Sequence, residues 1–69
     1  MSRHQKDMPQ QLLVTVPQAA KMLGVSRATI YRLVSKGELR LLHIGSAARV
    51  NVNSIRQLIQ AHERDEDAR

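Results

Sequence analysis

The chain closes one helix and opens another within Gly24, Val25 and Ser26, and this break limits its folds more than any other feature. Upstream of it, Thr15 and Gln18 have the T-x-x-Q spacing of a capping box. Pro17 falls in the first turn, where no intrahelical donor is lost. Ala19, Ala20 and Leu23 share one face and Lys21 points away. A helix is predicted over Val16–Leu23, stopped by Gly24, whose backbone enters the left-handed region at little cost. Ser26 is then the N-cap of a second helix. Ile30, Leu33 and Val34 form its buried stripe at the i, i+3, i+4 spacing. Gly37 ends it, which gives Arg27–Lys36. Helices this short are marginal in isolation, so each must bury its stripe against the other or against the C-terminal half of the chain.

That half begins with "LRLLHIGSAARVNV", a hairpin pattern. Leu42 and Ile44 are expected to face inward, with His43 outward between them. Gly45 to Ala47 are expected to form the turn, and Val50 and Val52 alternate with Arg49 and Asn51. The predicted strands are Leu41–Ile44 and Ala48–Val52. A two-stranded hairpin is not stable alone, so it must lie against the helices. Asn53 is the expected N-cap of a last helix from Ser54 to about Glu63, with Ile55, Leu58 and Ile59 as its apolar face.

A chain of 69 residues allows one small domain with a small core. There is no cysteine to staple it, to hold zinc or to act as a nucleophile. His4, His43 and His62 lack the short spacing of a metal site. No run is long and apolar enough for a membrane span, and the N-terminus shows no apolar signal segment. The expectation is a cytoplasmic protein with no cofactor, no metal and no membrane partner.

The net charge of +5 is unevenly spread. Residues 12–61 carry Lys21, Arg27, Arg32, Lys36, Arg40, Arg49 and Arg56 against Glu38 alone. Residues 1–11 read as a flexible N-terminal segment, and 62–69 as a charged tail with an acidic excess. A basic body suits a polyanionic partner. The second helix sharpens this. Arg27, Ala28, Tyr31 and Arg32 fall off its apolar stripe, and a helix that only packed a core would not need two guanidiniums beside the chain's sole aromatic ring. An enzyme is not expected. Nucleolytic chemistry needs metal-holding carboxylates or an activated nucleophile, and the body offers only Glu38. A protein- or RNA-binding module with a basic face is a further alternative.

The spacing of Ala20, Gly24, Ile30 and Leu33 is that of a helix-turn-helix, with Leu23 and Val25 filling the apolar positions around the turn. "LLVTVPQAAKMLGVSRATIYRLVSKGEL" resembles the opening of the excisionase-type, MerR-like winged helix-turn-helix family, and "LHIGSAARVNVNSIRQLI" resembles its wing and closing helix. The resemblance covers about residues 12–60. It implies a mainly α fold with a small β-hairpin wing over 12–61. It also implies a sequence-specific double-stranded DNA-binding protein that is bacterial or phage-encoded and nucleoid-associated.

Family members of this size often act as excisionases (recombination directionality factors), which bind and bend attachment-site DNA so that an integrase favours excision. The alternative is a small transcription regulator of a phage, plasmid or bacterium. An integrase or recombinase, and self-association on DNA, are the partners this implies. By the same resemblance the second helix enters the major groove. Arg27 and Arg32 are expected to read guanine, Ala28 to meet a thymine methyl, Tyr31 to meet a thymine methyl or a phosphate, and Ser26 and Lys36 to meet phosphate, while Thr29 either reaches a phosphate or base or serves the structure. His43, Ser46 and Arg49 are expected to carry the wing contact. Here the chain departs from the family pattern: Ser46, Ala47 and Ala48 follow Gly45, and only Arg49 keeps the charge usual at that place.

Overall fold

The computed structural model describes residues 12–67; the expected flexible segment 1–11 lies outside them. The elements run β1 (Leu13–Val14), α1 (Val16–Leu23), α2 (Arg27–Ser35), β2 (Leu41–Ile44), β3 (Ala47–Asn51) and α3 (Val52–Asp67). The strands form one antiparallel sheet in the order β1-β3-β2. Helices and sheet enclose a core of Val14, Val16, Ala19, Ala20, Ile30, Leu39, Val50 and Ile55. This is a winged helix-turn-helix, mainly helical with a small sheet.

Both caps ahead of the helix pair form as the sequence reading expects. Thr15 Oγ1 accepts from Gln18 N (3.1 Å), and Gln18 Oε1 accepts from Thr15 N (2.9 Å). Ser26 Oγ accepts from Thr29 N (3.1 Å). Gly24 lies at φ 69°. Gly24 N donates to Lys21 O and Val25 N to Ala20 O, the two bonds of a Schellman motif. Gly37 ends α2 with the same pair, to Val34 O and Leu33 O, and Lys36 becomes the C-cap rather than the last helical residue.

A Cβ added at Gly24 would meet no atom within 4 Å, so the left-handed backbone alone penalises a side chain there. Gly24→Ala is expected to cost about 1–2 kcal/mol. Gly24→Asn should cost less, since Asn visits that region more readily. Chemical denaturation of the three proteins gives the order.

Three expectations require correction. The first concerns the hairpin. Its turn holds only Gly45 and Ser46, and Ala47 pairs with Ile44 inside the ladder. Gly45 has φ 63° and Ser46 does not take positive φ, the sign pattern of a type II′ turn. The register sets Leu41 opposite Val50, which is fully buried, and Leu41 packs against the core. Leu42 and Ile44 therefore lie on the outer face, 38% and 57% exposed. A one-residue change of phase reverses every side chain of a strand.

The second correction is β1. Two residues carry no periodic signal, and this strand exists only because Leu13 and Val14 pair with Asn51 and Val50.

The third correction is α3, which starts at Val52 and runs to Asp67. Asn51, not Asn53, supplies the cap: its Oδ1 accepts from Ser54 N (2.8 Å). Val52 accordingly belongs to the helix and not to the strand, and helix continues past Glu63 into the stretch read as tail.

Candidate nucleic-acid interface

The two helices cross so that α2 buries Ile30 completely and half-buries Leu33 and Val34. At 3.6 residues per turn, Arg27, Tyr31 and Ser35 then form one outward row and Ala28, Arg32 and Lys36 form the next. All six are exposed, Tyr31 to 49%. The structure thus brings five of the sequence-read residues, Arg27, Ala28, Tyr31, Arg32 and Lys36, onto one side of one rigid element.

The electrostatics of this side are unusual for a helix serving stability alone. Arg27 occupies the first helical position and no acidic residue lies in the first turn. A cation beside the positive end of the helix dipole is unfavourable by about 0.3–1 kcal/mol. An anion at that end would offset both the Arg27 charge and the positive end of the dipole. Among the described side chains of residues 12–64, the carboxylates are Glu38 and Glu63, and these line clefts along α3.

Ser26 and Thr29 act together. Their hydroxyls lie 3.0 Å apart, and Ser26 Oγ already accepts from Thr29 N. With Thr29 as the hydroxyl donor, Ser26 accepts twice and its own proton is free for an acceptor beyond the helix end. Thr29 itself is half-buried and lines an apolar groove with Leu23, Val25, Leu33, Leu58 and Ile59. Its place favours support of Ser26 over an outward contact.

The wing residues are not brought together in the same way. His43 pairs with Ala48, and Arg49 with Leu42. His43 and Arg49 consequently project from opposite faces of the hairpin, with exposed Ser46 at its tip. Arg49 is half-buried and Nη1 donates to Ala48 O (2.9 Å), so its guanidinium is folded along its own strand.

Two residues outside the sequence-read site belong to this region. Arg40 is exposed at the wing base, and its contribution to the basic body was its only sequence signal. Ser54 is the one buried polar residue among those described. It looked like an ordinary first helical residue because its partners become neighbours only on folding.

The relatives are consistent with this geometry. One, uncharacterised, from Mycobacterium bovis, is 43% identical over 47 residues, which cover 68% of this chain and 41% of the relative. A "Putative DNA-binding protein" of Mycobacterium tuberculosis is 35% identical over 48 residues, 70% of this chain and 62% of the relative. A "Probable excisionase" of Saccharopolyspora erythraea is 42% identical over 43 residues, 62% of this chain and 44% of the relative. In each, the matched stretch spans less than two thirds of the relative's length. No solved structure matches. The family of helix-turn-helix domains matches residues 13–63, from β1 into α3. With its capped helix pair, its Gly24 turn and its small sheet, this chain belongs to that family.

Proposed function

We propose that this protein binds double-stranded DNA sequence-specifically, with α2 in the major groove. The observation that carries this reading is the pair of outward rows on α2: two guanidiniums, an ammonium and the sole aromatic ring share one exposed side of a helix whose N-terminus has no acid. The outward rows of α2 face base edges, Arg27 and Arg32 reading guanine and Tyr31 or Ala28 contacting thymine. Ser26 donates to a phosphate at the helix end. Lys36, at the far end of α2, meets phosphate and positions the protein without reading sequence. The wing tip at Ser46 reaches the adjacent minor groove or its phosphates, with His43 or Arg49 beside it according to which hairpin face turns toward the duplex.

The more specific role is that of an excisionase that binds and bends attachment-site DNA and directs an integrase. The "Probable excisionase" relative supports it. On this reading the chain performs no catalysis and acts with the recombinase, several copies binding neighbouring sites. The test is selection of bound duplexes from random sequence, followed by bending and footprinting assays on the recovered motif. Repeated motifs at an attachment site with a bent complex support the role. A lone motif at a promoter, without bending, identifies a transcription regulator using the same helix. No enriched motif removes sequence-specific binding altogether.

Lys36→Ala separates positioning from reading. It is expected to weaken binding to all duplexes alike and to lower the slope of log affinity against log salt by about 1. Titrations on matched and scrambled duplexes at several salt concentrations measure both effects.

A further inference from the structure

The base of the wing is not closed by an ordinary ladder rung. Arg40 and Asn51 stand next in register after the Leu41–Val50 pair. In a regular antiparallel sheet such a pair exchanges two direct bonds. Here one is present, from Asn51 N to Arg40 O (2.9 Å). The other is relayed through Ser54: Arg40 N donates to Ser54 Oγ (3.1 Å), and Ser54 Oγ donates to Asn51 O (2.7 Å). The inserted hydroxyl belongs to the first turn of α3, which Asn51 itself caps through Ser54 N (2.8 Å). Ser54 is 8% exposed, so these bonds are shielded from water and hold their geometry.

We propose that Ser54 is the positioning residue of the wing. It touches no DNA. One hydroxyl joins the outgoing strand, the incoming strand and α3, and so fixes the angle at which the hairpin leaves the body. A direct rung would draw Arg40 N and Asn51 O together and change that angle. With no hydroxyl at residue 54, both groups lose their partner inside the fold. The hairpin then pivots or loosens, while α2, anchored by Ile30 and closed by its Schellman stop at Gly37, stays in place. The inference rests on the reading that the wing touches DNA.

The experiment compares two duplexes, one carrying the selected site with its flanks and one trimmed to the part covered by α2. Ser54→Ala is expected to lower affinity for the flanked duplex roughly tenfold, the scale of losing a buried hydrogen bond. Affinity for the trimmed duplex should be unchanged, and protection of the flank from hydroxyl radicals should be lost. Ser54→Thr, which keeps the hydroxyl, should restore the flank. Ser46→Asp tests the underlying reading separately by placing a negative charge at the wing tip. If Ser46→Asp weakens flanked binding and Ser54→Ala does not, the proposal is overturned and the wing contact stands. If Ser46→Asp has no effect, the wing reading fails and the proposal falls with it. Equal losses for Ser54→Ala on both duplexes would mean a general structural role and would also overturn it. Should Ser54→Ala not fold, amide exchange of the unaltered protein decides: a slowly exchanging Arg40 N–H supports the relay, and fast exchange rules it out.

Discussion

Alanine in place of Ile30 is expected to lower the thermal midpoint by roughly 10–30 °C, followed by far-ultraviolet circular dichroism. Ile30 is completely buried at the centre of α2 and is one of the three largest fully buried side chains. Truncating such a residue costs about 2–5 kcal/mol, with the cavity term adding to the lost transfer energy. A chain of this length has about 3–10 kcal/mol in total. No disulfide supplements it, since the chain has no cysteine. The companion substitution is Ile44→Ala. The same chemical change on the outer face of β2, where the side chain is 57% exposed, should shift stability by no more than about 0.5 kcal/mol. A large loss at Ile44 would mean that β2 presents its other face to the core and that the observed register is wrong.

The contrast between these isoleucines shows what the sequence made legible. The caps, both helix stops and the α2 stripe follow local rules, each decided within a few residues. Thr15 with Gln18, Ser26 with Thr29, and the glycines at 24 and 37 all behave accordingly. The hairpin phase is not local. "LRLLHI" offers two alternations, one with Leu41 inward and one with Leu42 and Ile44 inward. The choice depends on Val50 across the sheet and on a turn of two residues instead of three. β1 was illegible for the same reason, since its pairing partners come from the far end of the domain. Asn53 is the cap that sequence suggests, but in the fold Asn51 takes that place, accepting from Ser54 N while the Ser54 hydroxyl donates to its carbonyl between the strands.

The candidate site divides along the same line. Residues on α2 could be assigned to one face because helical spacing alone determines it. The wing trio could not. His43 and Arg49 look like neighbours of Ser46 in sequence, yet pleating places them on opposite faces. The weakly basic wing is consistent with Arg49 lying along its strand. Charge therefore concentrates on α2, and specificity is expected to come mainly from that helix.

Arg32→Ala is accordingly expected to weaken binding to the selected site by about 1–3 kcal/mol and to relax preference at one base pair. Arg32 lies on the exposed side of α2 in the same row as Ala28, one turn nearer the C-terminus. On the proposed reading the substitution removes a bidentate guanidinium contact to guanine, and alanine offers no hydrogen bond in its place. Arg27→Ala provides an internal comparison, because the two arginines occupy opposite ends of the helix dipole. Arg27 stands at the unfavourable N-terminal end, whereas Arg32 is the basic residue of the last turn. Removing Arg27 should raise fold stability by a few tenths of a kcal/mol, and removing Arg32 should lower it by a similar amount. Both should weaken specific binding. Competition titrations against every single-base variant of the site, paired with urea denaturation, read these quantities independently. A shared loss of specific binding despite opposite signs in stability would mark both guanidiniums as serving DNA, with Arg27 doing so against the stability of the fold. Unchanged base preference in both variants would remove α2 as the reading element, because no other described helix presents two arginines and a tyrosine on one exposed side.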